Sequence, residues 1–293
     1  MPEINSLPPM EDWLADVRKH VLGSAPDMLA ILDVYEGEAR FGRRYIAADL
    51  ARLPKGAAVL EVGAGSLLLS CQLVREGFKV TALEPVGDGF SHFEHLRELI
   101  LDSAGILGCV PQMLNQRAED LSIKDYFDYA FSINVMEHVS DVNAVIANVG
   151  VGLHPGASYR FTCPNYLFPY EPHFNIPTLF SKKLTEKAFK NKIFKGSGLP
   201  DPEGTWKSLN WITVRQVGKI VGLLHGFKVV FNRRFLVSTL ERIGSDKEFA
   251  LRRSRWMRVF ILGLIKLRVH RLAGFIPAVL QPVIDCTLTR GER

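Results

Sequence analysis

Hydrophobic and polar positions along the chain predict short strands separated by amphipathic helices. Helices are expected at 10–22 and 26–52, before the first strand, and another at 66–76 directly after it. Alternation of strand and helix favours an α/β fold whose parallel sheet is covered by helices on both faces. The first five strands are predicted at about 58–62, 79–83, 110–116, 128–133 and 158–163.

The pattern breaks down between residues 164 and 211, which are rich in aromatic residues, proline and lysine. A stretch of this length without periodicity is often a lid or a substrate-binding insertion. Regular structure resumes at Thr213, which forms a capping box with Gln216. Two further strands, at 227–232 and 282–289, would complete the sheet.

A second insertion is predicted at about 250–276, within the last pair of strands. Between Trp256 and Val269 it is apolar almost all round, but shorter than the ~18–20 residues that span a bilayer. Two interpretations stay open: a helix packed on the domain or in a homodimer interface, and peripheral attachment to an anionic membrane surface. We expect residues 1–55 to form helices that cap the active site, and 56–293 to form one domain.

Composition narrows the classes of function. Hydrophobic residues make up 47% and charged residues 23%, as in a globular protein with a substantial core. The four cysteines are scattered without C-x-x-C spacing, which fits a reducing cytoplasm and gives no sign of a metal site. The N-terminus lacks the pattern of a signal peptide. Residues 250–293 hold nine Lys/Arg and two acids, so the net charge of +5 arises in the tail, which argues against a general nucleic-acid-binding surface.

The strongest chemical signal is the glycine loop after the first strand, Glu61-Val62-Gly63-Ala64-Gly65. Glu84 follows 19 residues after Gly65, at the end of the second strand, where a carboxylate reaches a ribose. A dinucleotide-binding loop would need a glycine where Leu68 stands, and Glu61 would repel a diphosphate. A cationic ligand with an α-amino group, such as S-adenosylmethionine (SAM), fits better.

Four segments resemble successive motifs of the class I SAM-dependent methyltransferases: VLEVGAGSLLLS, TALEP, RAEDL and FDYAFSINVMEHV. The resemblance covers about residues 56–165 and is nearest to the group of ubiquinone/menaquinone-type and small-molecule methyltransferases. It implies a Rossmann-like, seven-stranded, mostly parallel sheet with an antiparallel terminal strand and helical or loop insertions. The chain departs from the family at Leu67, where many members have a third glycine.

The resemblance also implies a set of cofactor-binding residues. The carboxylate of Glu61 would receive the ammonium group, and Glu84 both ribose hydroxyls. Asp120 is an alternative to Glu119 as the partner of adenine. The full set of cofactor-binding positions is Glu61, Gly63, Ala64, Gly65, Glu84, Ala118, Glu119 and Asn134.

Acceptor binding and catalysis are expected just beyond the fourth and fifth strands. His138 and His173 are candidates for the general base, and Tyr170, Glu171 and His173 for binding the substrate. Both histidines have a structural alternative, in which they only hold their loops together. The chemistry expected is metal-free O-methylation of a small-molecule or lipid- or sugar-linked acceptor. The alternatives are an NAD(P)-dependent oxidoreductase and a non-catalytic SAM-binding scaffold.

Overall fold

A computed structural model of the chain describes residues 9–85, 92–197, 199, 201–245 and 255–292. Seven strands form one sheet in the order β3-β2-β1-β4-β5-β7-β6, with the last strands antiparallel. The β1 strand pairs in parallel with β2 and β4, and β2 pairs in parallel with β3. The expected fold class is therefore confirmed. The strands are β1 Ala58–Val62, β2 Lys79–Leu83, β3 Gln112–Leu114, β4 Phe127–Ile133, β5 Leu153–Pro164, β6 Phe227–Phe231 and β7 Val283–Arg290.

The described helices agree with the sequence pattern around the sheet and differ from it in the insertions. Two helices lie within 164–211, where no regular periodicity was expected, and a third follows β6. The predicted helix at 26–52 is divided into a 3-10 turn and two helices. The α-helices are α1 Met10–Ser24, α2 Leu29–Tyr45, α3 Ala47–Leu50, α4 Leu68–Arg75, α5 His92–Ile106, α6 Val142–Gly152, α7 Lys182–Phe194, α8 Pro202–Ser208, α9 Val214–Leu223, α10 Phe235–Ser245 and α11 Arg255–Lys266.

The described chain divides into two compact units. The first contains the residues up to Ile133, Asn143–Tyr159 and those from Thr289 onward. The second contains Asn134–Val142 and the described part of Arg160–Leu288. The N-terminal helices thus belong to the same unit as the glycine loop, and their role in capping the active site stays a prediction.

In the first unit, the N-terminal helices hold α4, the helix that follows the glycine loop. The indole N–H of Trp13, a fully buried residue of α1, donates to the carbonyl oxygen of Leu68 at 2.9 Å. The guanidinium of Arg43 in α2 pairs with Glu76, just after α4, at 2.7 Å. These bonds fix both ends of α4, so the loop before it has a rigid boundary.

In the second unit, the buried amide of Asn165 joins three segments. Its Nδ2 donates to the carbonyl oxygens of Val279 and Gln281 at 3.2 and 2.8 Å. Its Oδ1 accepts from the backbone N–H of Leu167 and of Val214, the first residue of α9. The residue that follows β5 therefore fixes the start of the 164–211 insertion.

The N-cap half of the predicted capping box is confirmed at the start of α9, where the Thr213 hydroxyl accepts from the N–H of Gln216 at 3.1 Å. The predicted insertion at 250–276 contains α11 and a 3-10 helix, Val269–Phe275, and its first residues lie outside the described ones. Among the helices that the structure describes, none has the length and apolar character needed to cross a membrane.

Leu67 precedes α4 in a left-handed backbone conformation, with φ of +69°, and its side chain is fully buried. The position at which the chain departs from the glycine-rich family pattern is therefore one whose backbone favours glycine. A left-handed conformation costs a residue with a side chain about 1–2 kcal/mol. The chain tolerates this cost because the leucine side chain fills the core.

We expect Leu67→Gly to lower the free energy of unfolding by about 2 kcal/mol less than Leu68→Gly. Both changes delete a buried leucine side chain, but glycine relieves left-handed strain at 67 and adds about 1 kcal/mol of helix penalty at 68. Urea unfolding of the two variants measures the difference. Equal losses would show that the backbone at Leu67 is not strained.

Candidate active site

The glycine loop between β1 and α4 is fastened to the end of β2. The backbone N–H groups of Gly63 and Ala64 both donate to the carbonyl oxygen of Leu83, at 2.8 and 3.3 Å. The N–H of Gly65 donates to Oε2 of Glu84 at 3.0 Å. Gly63 and Gly65 have φ of +74° and +49°, so the loop needs glycine at both positions.

Glu84 lies where the sequence predicted a carboxylate that binds ribose. Burial raises the pKa of this carboxyl, and the amide of Gly65 opposes that shift. The amide occupies only one lone pair of Oε2, so the carboxylate keeps acceptor capacity for two hydroxyl groups. Glu84 therefore shapes the loop, and its contact with the ribose stays a prediction.

Glu61 is buried at the end of β1, and Ser70 of α4 donates its hydroxyl hydrogen to the carboxylate. Burial raises the pKa of Glu61 to about 8. The hydrogen bond from Ser70 opposes this shift, and the charge of Glu84 adds to it. An ammonium group placed beside this carboxyl would favour its ionised form. The environment suits a cationic ligand and disfavours a diphosphate.

The segment predicted to bind adenine forms a 3-10 helix, Ala118–Asp120, in the first unit. Ala118 is buried, and the Glu119 side chain is 9% exposed, against 64% for Asp120. The side chain of Asn148 in α6 donates to the carbonyl oxygen of Glu119 and holds this turn. Glu119 is thus the more buried of the two acids, and its contact with adenine stays a prediction.

Asn134, the first residue after β4, has a left-handed backbone with φ of +55°. Its N–H donates to the carbonyl oxygen of Thr162 in β5 at 2.8 Å. Asparagine tolerates this conformation better than most residues. The turn that follows β4 is therefore fixed at a residue that the sequence predicts to bind the cofactor.

In the second unit, the fully buried carboxylate of Glu171 organises the loop after β5. Oε2 accepts from the N–H of Phe174 at 2.7 Å, and Oε1 accepts from the hydroxyl of Tyr166 at 3.3 Å. Oε1 also accepts from the N–H of His173 and bonds its ring Nδ1 at 2.6 Å. Glu171 thus orients the imidazole of His173, as in a carboxylate–histidine pair.

The rings of His138 and His173 lie edge to face with their centroids 5.2 Å apart. Burial and the charge of His173 lower the pKa of His138 to about 4, and its Nδ1 bonds the Ser208 hydroxyl at 2.8 Å. Burial lowers the pKa of His173, but the hydrogen bond and charge of Glu171 outweigh it and raise the pKa above its usual value. His173 is therefore the stronger base of the two.

Glu137 joins this histidine pair, although sequence analysis gave it no role. Its side chain is completely buried, neither carboxylate oxygen has a hydrogen-bond partner, and burial raises its pKa to about 7. One nitrogen of each histidine and one oxygen of Glu137 lie within 4.8 Å of one another. We refer to Glu137, His138 and His173 as the triad. Spacing along the chain gave no sign of it, because His173 is 35 residues beyond His138.

Tyr170 lies in the same loop as Glu171 but has a different partner, since its hydroxyl donates to Oδ1 of Asn175 at 2.8 Å. Tyr170 is 40% exposed.

An aromatic cluster lies in the same unit. Tyr166 stacks on Trp211 at 5.0 Å, and Trp206 contacts Trp211 and Phe174 edge to face. The indole N–H of Trp211 is buried without a hydrogen-bond partner.

Comparison with known proteins gives a family. Residues 60–161 match the family model for a methyltransferase domain. An uncharacterized protein of Mycobacterium tuberculosis, recorded in two strains, is 49% identical over 281 residues, which are 96% of this chain and 95% of the relative. The ubiquinone biosynthesis O-methyltransferase of Paramagnetospirillum magneticum is 33% identical over 125 residues, 41% of this chain and 47% of that protein. The solved SAM-dependent methyltransferase of Mesorhizobium loti has the same fold, with a TM-score of 0.50, 15% identity and coverage of 83% of this chain and 96% of that one.

The chain is a SAM-dependent methyltransferase of the Rossmann-like fold. Within that class it belongs to the same family as the M. tuberculosis protein, which it matches over nearly its full length. The residues fit SAM, the family's cofactor: a Cβ atom added at Gly65 would meet no heavy atom within 4 Å, so the loop has open space beside it. Membership of the methyltransferases sets aside the alternative of an NAD(P)-dependent oxidoreductase.

We expect Gly65→Ala to weaken SAM binding at least tenfold, because a methyl group would enter the space that the cofactor needs and would strain a backbone with φ of +49°. Gly56→Ala is a matched control, since Gly56 also has positive φ (+78°) and open surroundings but lies before β1. Titration calorimetry with S-adenosylhomocysteine measures both variants. Equal affinity in the two would place the cofactor away from the loop.

Proposed function

We propose that this methyltransferase methylates a hydroxyl group on a small aromatic or lipid-linked acceptor. The observation that carries the proposal is the pair of Glu171 and His173, in which a buried carboxylate holds an imidazole through Nδ1 at 2.6 Å. An imidazole fixed in this way presents Nε2 as a base toward an acceptor hydroxyl. An amine acceptor that is already neutral needs no such base, so the pair favours oxygen.

The residues of each unit have separate tasks in this mechanism. In the first unit, Glu61 would bind the ammonium group of SAM, the loop from Gly63 to Gly65 its methionine part, and Glu84 its ribose. When bound, SAM supplies a methyl group on a sulfonium sulfur, which is an excellent leaving group for in-line attack. In the second unit, His173 would take the proton from the hydroxyl of the methyl acceptor. Its contribution to the rate would be modest, because alignment of the reacting atoms supplies most of the rate enhancement.

Aromatic side chains near this pair support an acceptor with a flat ring. Tyr166, whose hydroxyl bonds Glu171, stacks on Trp211, and Trp206 and Phe174 pack edge to face beside it. Aromatic surfaces favour ring-shaped or apolar ligands through offset and edge contacts. The partly similar relative from P. magneticum carries a name that states O-methylation in ubiquinone biosynthesis, which agrees with this acceptor class.

We expect an alkylated catechol to accept labelled methyl from SAM, and the matching aromatic diamine to accept little. His173→Gln should lower kcat by about 10² or more, because the proton acceptor is lost. His225→Gln, a change just after α9 and outside the cluster, is the matched control. Mass spectrometry of the product locates the methyl group. Methyl on nitrogen, or a kcat unaffected by His173→Gln, would contradict the proposal.

A second proposal concerns where the enzyme works, and it rests on the exposed face of α11 and the 3-10 helix after it. One face of α11 packs on α10 through Ile261 and Ile243. The opposite face exposes Trp256 (85%) and Phe260 (66%), and the 3-10 helix exposes Phe275 (79%). We propose that this face inserts into the headgroup region of an anionic membrane.

Charge supports lipid as the partner rather than a second copy of the chain. Basic side chains alternate with the apolar ones, and each near a surface adds about 1 kcal/mol of attraction to anionic lipid. The same charges would repel each other across a symmetric homodimer interface. Interfacial helices likewise combine tryptophan and phenylalanine with basic residues. The exposed basic residues are Arg255, Lys266, Arg268 and Arg271.

We expect the intact protein to float with vesicles that contain phosphatidylglycerol, and the double variant Trp256→Glu/Phe260→Glu to stay in solution. Leu223→Glu on α9 changes an equally exposed apolar residue (72%) and should float like the wild type. Flotation of the double variant would contradict the proposal. A concentration-dependent dimer that the same substitutions dissociate would favour the homodimer instead.

A further inference from the structure

We propose that the triad is a binding site for a divalent first-row transition metal ion, with Glu137, His138 and His173 as ligands. The three ligand atoms, one from each residue, lie within 4.8 Å of one another. Two imidazole nitrogens and one carboxylate oxygen are a donor set that Zn²⁺, Fe²⁺ and related ions bind in proteins, with positions left open for water or substrate.

The carboxylate of Glu137 is the first independent reason. It is 0% exposed, and neither oxygen has a hydrogen-bond partner. A buried carboxylate without a partner is costly, and native proteins rarely keep one without a compensating cation or proton. A bound divalent ion would provide that compensation.

The surroundings of the two histidines are the second reason. The Nδ1 atom of His173 bonds the buried carboxylate of Glu171 at 2.6 Å, and the Nδ1 atom of His138 bonds the Ser208 hydroxyl at 2.8 Å. Metal-binding histidines typically use one ring nitrogen for the ion and the other for such an orienting group. Nε2 of each ring is then the atom that faces the ion.

Local backbone structure holds the triad in place. The side-chain amide of Asn210 donates to the carbonyl oxygens of Met136 and Val139, at 2.8 and 2.7 Å. The N–H of Asn210 donates to the carbonyl oxygen of Glu137 at 2.8 Å. The turn that carries Glu137 and His138 is thus pinned on both sides. Around a tetrahedral ion, ligand atoms about 2.0–2.1 Å from the metal lie about 3.4 Å apart. Side-chain rotations that move the ligand atoms by about 1 Å would therefore complete the site.

The consequence for catalysis rests on the proposed function, whereas ion binding does not. An ion on Nε2 of His173 uses the lone pair that would otherwise accept a proton. In the metal-bound protein, an acceptor hydroxyl held at an open position would have a lower pKa and would give its proton to bulk water before the methyl transfer. A metal ion at the triad would be contrary to the expectation from sequence spacing that the chain holds no metal.

Titration of the metal-free protein with Zn²⁺ tests the site without any acceptor. We expect 1:1 binding that raises Tm, and loss of both effects in Glu137→Gln. That variant should fold at least as stably as the wild type without metal, because it removes an unpartnered buried acid. Glu171→Gln should keep binding but weaken it 10- to 100-fold, since it removes an orienting group.

His95→Asn is the matched control, because His95 forms an exposed histidine–glutamate pair with Glu98 on α5. It should bind Zn²⁺ like the wild type. With Co²⁺, we expect an absorption spectrum without the thiolate charge-transfer band that cysteine ligands would give. Wild-type affinity in Glu137→Gln, binding lost in His95→Asn, or no 1:1 binding would overturn the proposal. If no ion binds while His173→Gln still abolishes O-methylation, the metal site fails and the proposed function stands.

Discussion

The attachment of the glycine loop to the end of β2 is the constraint on which the cofactor site depends. Parallel pairing sets Val62 opposite Leu83, so the chain leaves β1 and β2 at the same edge. The carbonyl of Leu83 and the carboxylate of Glu84 then take the loop's N–H groups. One register thereby fixes the loop's shape and the place of Glu84. A shift by one residue would turn Glu84 to the other face of the sheet.

Two buried carboxylates in the second unit, those of Glu171 and Glu137, differ in whether they have hydrogen-bond partners. Both oxygens of Glu171 accept hydrogen bonds, which offsets the cost of burial and turns the carboxylate into a fixed support for its loop. Glu137, also fully buried, has no hydrogen-bond partner for its carboxylate. Since an unpartnered acid weakens the folded state, its presence beside two histidines points to a bound cation or a transferred proton.

Local rules of structure are broken at several positions, and two of them adjoin the candidate active site. Leu67 and Asn134 take left-handed backbones directly before α4 and directly after β4. The exposed aromatic residues of α11 break the rule that large apolar side chains are buried. Natural proteins usually keep such exceptions where function needs them. At Leu67 the leucine side chain is itself part of the core, so its strain has a structural explanation.

The sequence by itself determined the central strands, the glycine loop, Glu84 and the cap at Thr213, because each is a local pattern of a few residues. It also identified Glu171 and His173 as a candidate pair. Tertiary structure alone decided that Glu137 and His138 meet His173, and that helices form within the 164–211 insertion. Periodicity and spacing report only neighbours along the chain, whereas a site of this kind depends on how distant loops pack. Packing on α10 likewise decides which face of α11 stays exposed. A helix that is apolar on all sides gives no indication of that face in its sequence.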